Sequence, residues 1–125
     1  MKQKITKKDQ SFLDRIAQTI YDKKGENILA LDVRQISSLT EYFIIAEGRV
    51  ERHVGSIARA VIDELRDLGL KCYEVEGLQN GDWVVIDFGH IYVHLFHPDL
   101  RDRYAIEQIW KAGEIVNVNI EIKHE

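Results

Sequence analysis

Apolar residues recur at helical spacing in two stretches of this chain. Phe12, Leu13, Ile16, Ala17, Ile20 and Tyr21 mark a first helix. Thr6 is placed to cap it, with Asp9 near its positive end. Val54, Ile57, Ala58, Val61, Ile62, Leu65 and Leu68 form the broad stripe of a second helix, over about Val50 to Leu68. Gly25 and Gly69 stand where these helices should stop. The remaining apolar runs are short and suit strands: Asn27–Val33, Tyr42–Ala46 and the alternating Cys72–Glu76. Arg34–Glu41 is polar and Ser/Thr-rich, a loop or a single helical turn. Pro98 opens a last helix whose partial apolar face is Leu100, Tyr104, Ile106, Ile109 and Trp110.

The strongest local signal is Gly81 to Phe96. Two β-branched and aromatic runs, Trp83–Phe88 and Ile91–Phe96, flank Gly89-His90 and predict a hairpin. Alternation puts Val84, Ile86 and Phe88 on one face, suited to the core. Trp83, Val85 and Asp87 fall on the other. The strand–helix–strand unit from Tyr42 to Glu76 implies parallel strands if they share a sheet, and the hairpin implies an antiparallel pair. The expected class is therefore α/β: a mixed sheet of about five strands with packed helices. Residues 1–113 are read as a single α/β domain. In the tail, residues 114–125, Val116, Val118, Ile120 and Ile122 alternate with polar residues, which suits an extra strand.

Composition narrows the function. With 125 residues, 45% of them hydrophobic, the chain can bury a core without staples. Its one cysteine, Cys72, excludes an intrachain disulfide and fits a reducing compartment. No segment approaches the roughly 18 apolar residues of a membrane span. The basic, polar start MKQKITKKDQ lacks the apolar run of a secretory signal. We expect a cytoplasmic protein with no membrane partner. The net charge of −4 argues against DNA or RNA binding driven mainly by phosphate contacts.

Candidate chemistry is sparse. His90, His94 and His97 are close in sequence, but a strand sends His94 and His97 to opposite faces and His90 sits in the turn, so no metal site is expected. Cys72 has no neighbour that would lower its pKa. No phosphate-binding glycine loop or nucleophile elbow is present, and Asp82, Asp87 and Asp32 do not pair on one strand face. We expect no catalytic residues and no cofactor. Two surfaces remain. Arg52, Arg59 and Arg66 form a stripe at seven-residue spacing on the second helix, readable as a solvated face or as a contact for phosphate or acidic groups. On and around the hairpin, Glu76, Asp82, Trp83, His90, Tyr92 and His94 combine aromatic bodies with polar tips, as partner-binding surfaces do. Trp83 could equally cover core.

One resemblance sharpens these readings. ALDVRQISSLTEYFIIAEG, RHVGSIARAV, Glu76-Gly77, and DWVVIDFGHIYVHLF followed by RDRYAIEQIW together resemble the ribosomal silencing factor family, also called Iojap-like. The resemblance covers about Ala30 to Trp110, with the tail from Glu114 outside it. It implies a nucleotidyltransferase-like fold without the catalytic carboxylates. It also implies binding to the large ribosomal subunit through ribosomal protein L-fourteen, a steric block to subunit joining, and repression of translation. Alternatives left open are residual nucleotidyltransferase-like activity, a role in large-subunit maturation, and a plain dimeric scaffold. A homodimer is expected when the chain is free. Members usually carry an acidic residue where this chain has His90 and a small hydroxyl residue where it has Glu47.

Overall fold

The computed structural model describes residues 3–104 and 113–122. In chain order the elements are α1 (Lys7–Asp22), β1 (Glu26–Asp32), β2 (Tyr42–Glu47), α2 (Glu51–Asp67), β3 (Glu74–Glu76), β4 (Trp83–Asp87), β5 (Ile91–Phe96), α3 (Pro98–Tyr104) and β6 (Glu114–Val116). The six strands form one mixed sheet in the order β3-β4-β5-β2-β1-β6. β2 and β5 are parallel and every other neighbouring pair is antiparallel.

One face of the sheet carries the main core. Ala30, Ile44, Ala46, Val84, Ile86, Val93 and Leu95 meet Leu13, Ile16 and Ile20 of α1 and Val54, Ile57, Val61 and Leu65 of α2. The helical stripes are where the periodicity put them, except that Leu68 lies just past the end of α2 and is exposed. α1 starts as expected, with the Asp9 amide donating to Thr6 Oγ1 at 3.0 Å. The opposite face carries a smaller cluster of Leu31, Val33, Phe43, Ile45 and Phe96, against which Leu100 of α3 packs. β2 is apolar from Tyr42 to Ala46 because it is central and covered on both faces.

Several expectations need correction. The sheet has six strands rather than about five, because the start of the tail, Glu114–Val116, forms the extra strand its alternation suited and pairs with β1. The alternating tail does not continue as sheet beyond Val116; it crosses onto α1. Gln10 Nε2 donates to the Asn117 carbonyl at 3.0 Å, the Asn119 amide donates to Asp14 Oδ1 at 2.9 Å, and the Glu121 amide donates to Gln18 Oε1 at 2.6 Å. Four helical residues advance about 6.0 Å and two extended residues about 6.6 Å, so a stripe at i, i+4, i+8 keeps step with every second residue of an extended chain. Gly25 is not the left-handed residue after α1. Lys24 takes that conformation at φ 68°, and Gly25 is needed because a Cβ there would run into Ile20. The strand expected over Cys72–Glu76 is shorter, Glu74–Glu76. The apolar face proposed for the last helix at Tyr104, Ile106, Ile109 and Trp110 lies outside the residues whose side chains are described.

Candidate functional site: an aromatic sheet face

The hairpin closes as its glycine predicts. Gly89 sits at φ 90° and the Phe88 amide donates to the Ile91 carbonyl at 2.9 Å. Strand register then builds rows across the face opposite α1 and α2. Glu74 lies opposite Asp87, Asp87 opposite Tyr92, and Tyr92 opposite Phe43. The next row runs Glu76, Val85, His94, Ile45, and the third pairs Trp83 with Phe96. Paired residues share a face. An aromatic array thus spans three strands and ends in carboxylates at the β3 edge.

The rings touch. Trp83 lies 5.1 Å from Phe96 and 6.2 Å from His94, centroid to centroid, and Phe43 packs edge-on to His94 at 5.0 Å and to Tyr92 at 6.1 Å. Trp83 Nε1 donates to His94 Nδ1 at 3.2 Å. Trp83 keeps 39% of its surface exposed, which resolves the alternative left by the sequence: it is neither fully core nor fully surface. Its loop is shaped for it, since Gly77 at φ 86° brings its backbone so close to the Trp83 carbonyl that a Cβ would collide. Burial lowers the His94 pKa from its ordinary value to about 4, so the ring is neutral at physiological pH. Burial also raises the Tyr92 hydroxyl pKa, helped by the nearby Asp87, Glu74 and Glu76 carboxylates.

Of the residues singled out for a partner surface, Glu76, Trp83, Tyr92 and His94 share this face. Asp82 precedes Trp83 and is exposed, while its carbonyl accepts from the His97 amide. His90 does not join them. It turns toward α1, with Nε2 2.9 Å from Asp9 Oδ1 and its ring edge-on to Phe12. Arg52, Arg59 and Arg66 are exposed on α2, a helix that covers the other face of the sheet, so they stand apart from the aromatic array. Arg66 is also paired with Asp63 at 3.3 Å. Sequence reasoning missed Phe43, Phe96 and Glu74, which only the strand pairing brings to this face.

Other polar candidates hold the fold together. His53 accepts the Arg49 amide on Nδ1, which leaves Nε2–H to donate to the Lys23 carbonyl at 2.6 Å. Asp32 is gripped by Arg34, and Asp87 accepts the Gly89 amide at 2.7 Å. Glu47 receives Arg101 Nη1 at 2.9 Å and Asn27 Nδ2 at 3.2 Å, tying α3 to the sheet. Burial raises the Cys72 thiol pKa, the opposite of what a nucleophile needs. No group of three or more ligand-type side chains is placed to hold a metal, and no helix is long and apolar enough to cross a membrane, among the described residues.

The family model for the ribosomal silencing factor during starvation matches residues 6–125. This chain belongs to the ribosomal silencing factor family. The match includes the tail, which lay outside the resemblance read from the motifs. A ribosomal silencing factor of Bacillus subtilis is 38% identical over 109 residues, 87% of this chain and 92% of that one. A mouse protein named for mitochondrial assembly of the ribosomal large subunit is 26% identical over 103 residues, covering 78% of this chain and 44% of its own. The crystal structure of a Chromobacterium violaceum protein superposes with TM-score 0.78 at 31% identity, over 94% of this chain and 95% of that one. As a ribosomal silencing factor, the chain falls among ribosome-associated regulators of translation.

Proposed function

We propose that this silencing factor binds the large ribosomal subunit through the aromatic face around Trp83, with ribosomal protein L-fourteen as its contact. It represses translation there by blocking access of the small subunit. The observation that carries this reading is the continuous array of Trp83, Phe96, His94, Phe43 and Tyr92 bordered by Glu74, Glu76, Asp82 and Asp87. Half-buried Trp83 and Tyr92, seated on the buried Phe96 and Phe43, supply binding energy, and carboxylates around them favour a basic protein over the RNA backbone. The family supports the ribosomal setting, and the name of the mouse relative supports the large subunit.

Occlusion needs no catalytic step, so the protein acts without enzymatic activity or cofactor, in the cytoplasm. Asp32 and Asp87 already serve Arg34 and Gly89, which agrees with that reading. When free, the same face covers itself in a homodimer that opens on the subunit. A second reading, a part in large-subunit maturation, is favoured by the mouse relative's name and uses the same contact. Sedimentation with separated subunits tests the proposal: binding to the large subunit supports it, and absence of binding refutes it. Magnesium-dependent turnover of labelled nucleotides that vanishes in Asp87→Asn would refute the non-enzymatic part.

A further inference from the structure

We propose that the groove between α1 and the outer edge of β1 is a docking site for an extended chain: the protein's own tail fills it here, and the tail of a second copy replaces it when chains meet. The tail runs along α1 as a strand runs along its neighbour. Gln18 engages both backbone groups of Glu121, its Oε1 accepting the amide at 2.6 Å and its Nε2 donating to the carbonyl at 3.2 Å. Asp14 accepts the Asn119 amide on Oδ1 at 2.9 Å and the Asn119 side-chain amide on Oδ2 at 3.1 Å. Gln10 donates to the Asn117 carbonyl at 3.0 Å. The ladder is braced within α1 itself. Gln10 Nε2 also donates to Asp14 Oδ1 at 2.8 Å, and Gln18 Nε2 to Asp22 Oδ1 at 2.9 Å. Apart from the Asn119 side chain, what these residues read is backbone. The groove therefore selects an extended segment with apolar residues at alternate positions.

Residues 114–122 of another copy have that chemistry by identity, so every contact made within one chain is available between two. The hold within one chain is slight. Pairing with β1 covers three residues, Glu114–Val116. The bonds at Asn117, Asn119 and Glu121 are exposed, where water competes and each contributes little. Val118 and Ile120 are half-buried, and Ile122 is exposed. The alternation thus runs well past the strand that uses it, and a segment of strand-like pattern whose register the sheet does not fix is prone to exchange. α1 covers the sheet face opposite the aromatic array, so exchange leaves the array open to its own partner.

Complementation between full-length variants tests the exchange. Val118→Asp/Ile120→Asp spoils the tail and leaves the groove. Asp14→Ala/Gln18→Ala spoils the groove and leaves the tail. A third chain carries all four substitutions. Association is followed by two-colour sedimentation of labelled chains, below the melting temperature of each. We expect the tail variant to pair with the groove variant about tenfold more tightly than with the third chain. Pairing through other faces is common to both mixtures and cancels. The α1 amides of the tail variant should gain protection from exchange only in the first mixture. Equal association in the two mixtures would overturn the proposal, and so would tighter association without added protection in α1. A free peptide of residues 114–122 should compete. An unrelated alternating peptide that competes equally would overturn the assignment to a second copy. If Val118→Asp/Ile120→Asp loses its cooperative melt, Asn119→Pro serves instead, since it removes the amide that Asp14 accepts and keeps the apolar residues.

Discussion

Replacing Trp83 with alanine separates an anchor from a core residue. A fully buried Trp costs about 3–5 kcal/mol on truncation to Ala. Trp83 is 39% exposed, so the stability loss scales down to about 2–3 kcal/mol. For a chain of this size that corresponds to a melting temperature about 8–12 °C lower, with cooperativity retained. The loss of binding is of a different kind. An aromatic hot spot removed from the centre of an interface costs about 2 kcal/mol or more, roughly thirtyfold in affinity. The assay is a thermal melt and a subunit-binding titration on one purified variant, with binding measured well below its melting temperature. Binding within about twofold of wild type by the folded variant would refute the assignment of this face. Loss of the cooperative melt would show that Trp83 belongs to the core.

The remaining predictions follow from other contacts. Glu47→Ala leaves the buried Arg101 guanidinium short of its carboxylate and should destabilise by about 3–5 kcal/mol by denaturant titration, with Glu47→Ala/Arg101→Met recovering part of that. His94 is held neutral, so the unfolded chain binds the extra proton between pH 6.5 and about 4. Its contribution is complete above pH 6.5 and is lost as pH falls toward 4, by about 3 kcal/mol, and the pH dependence of stability should be correspondingly flatter in His94→Asn. Truncation after Val116 removes the exposed contacts to Gln10, Asp14 and Gln18 and should cost about 2 kcal/mol, seen as lower amide protection in α1. If the partner contact is protein, Arg59→Glu should bind as wild type at moderate salt. A steep salt dependence together with loss of binding in that variant would point instead to phosphates at the arginine stripe.

Much of the fold was legible because its signals are local. The stripes of α1 and α2 follow from spacing within one helix, and β4 and β5 follow from alternation across one turn. The short extent of β6 was obscured because the period-two pattern of the tail has two causes. Val116 alternates to meet the sheet, whereas Val118 packs on the core while its polar neighbours bond to α1. The candidate site was legible to the extent that it lies on the hairpin, where Trp83, Tyr92 and His94 share one sheet face. Phe43 was not, because its place beside Tyr92 depends on the parallel pairing of β2 with β5, which no local pattern specifies. His90 was misplaced for the same reason. Its partner, Asp9, lies 81 residues away.

The most direct test of the central claim is co-sedimentation of the purified chain with separated large and small ribosomal subunits. The account predicts that the chain pellets with large subunits, stays in solution with small ones, and keeps the two from joining when pre-bound. A chain that pellets equally with both, with neither, or with large subunits that still join would contradict it.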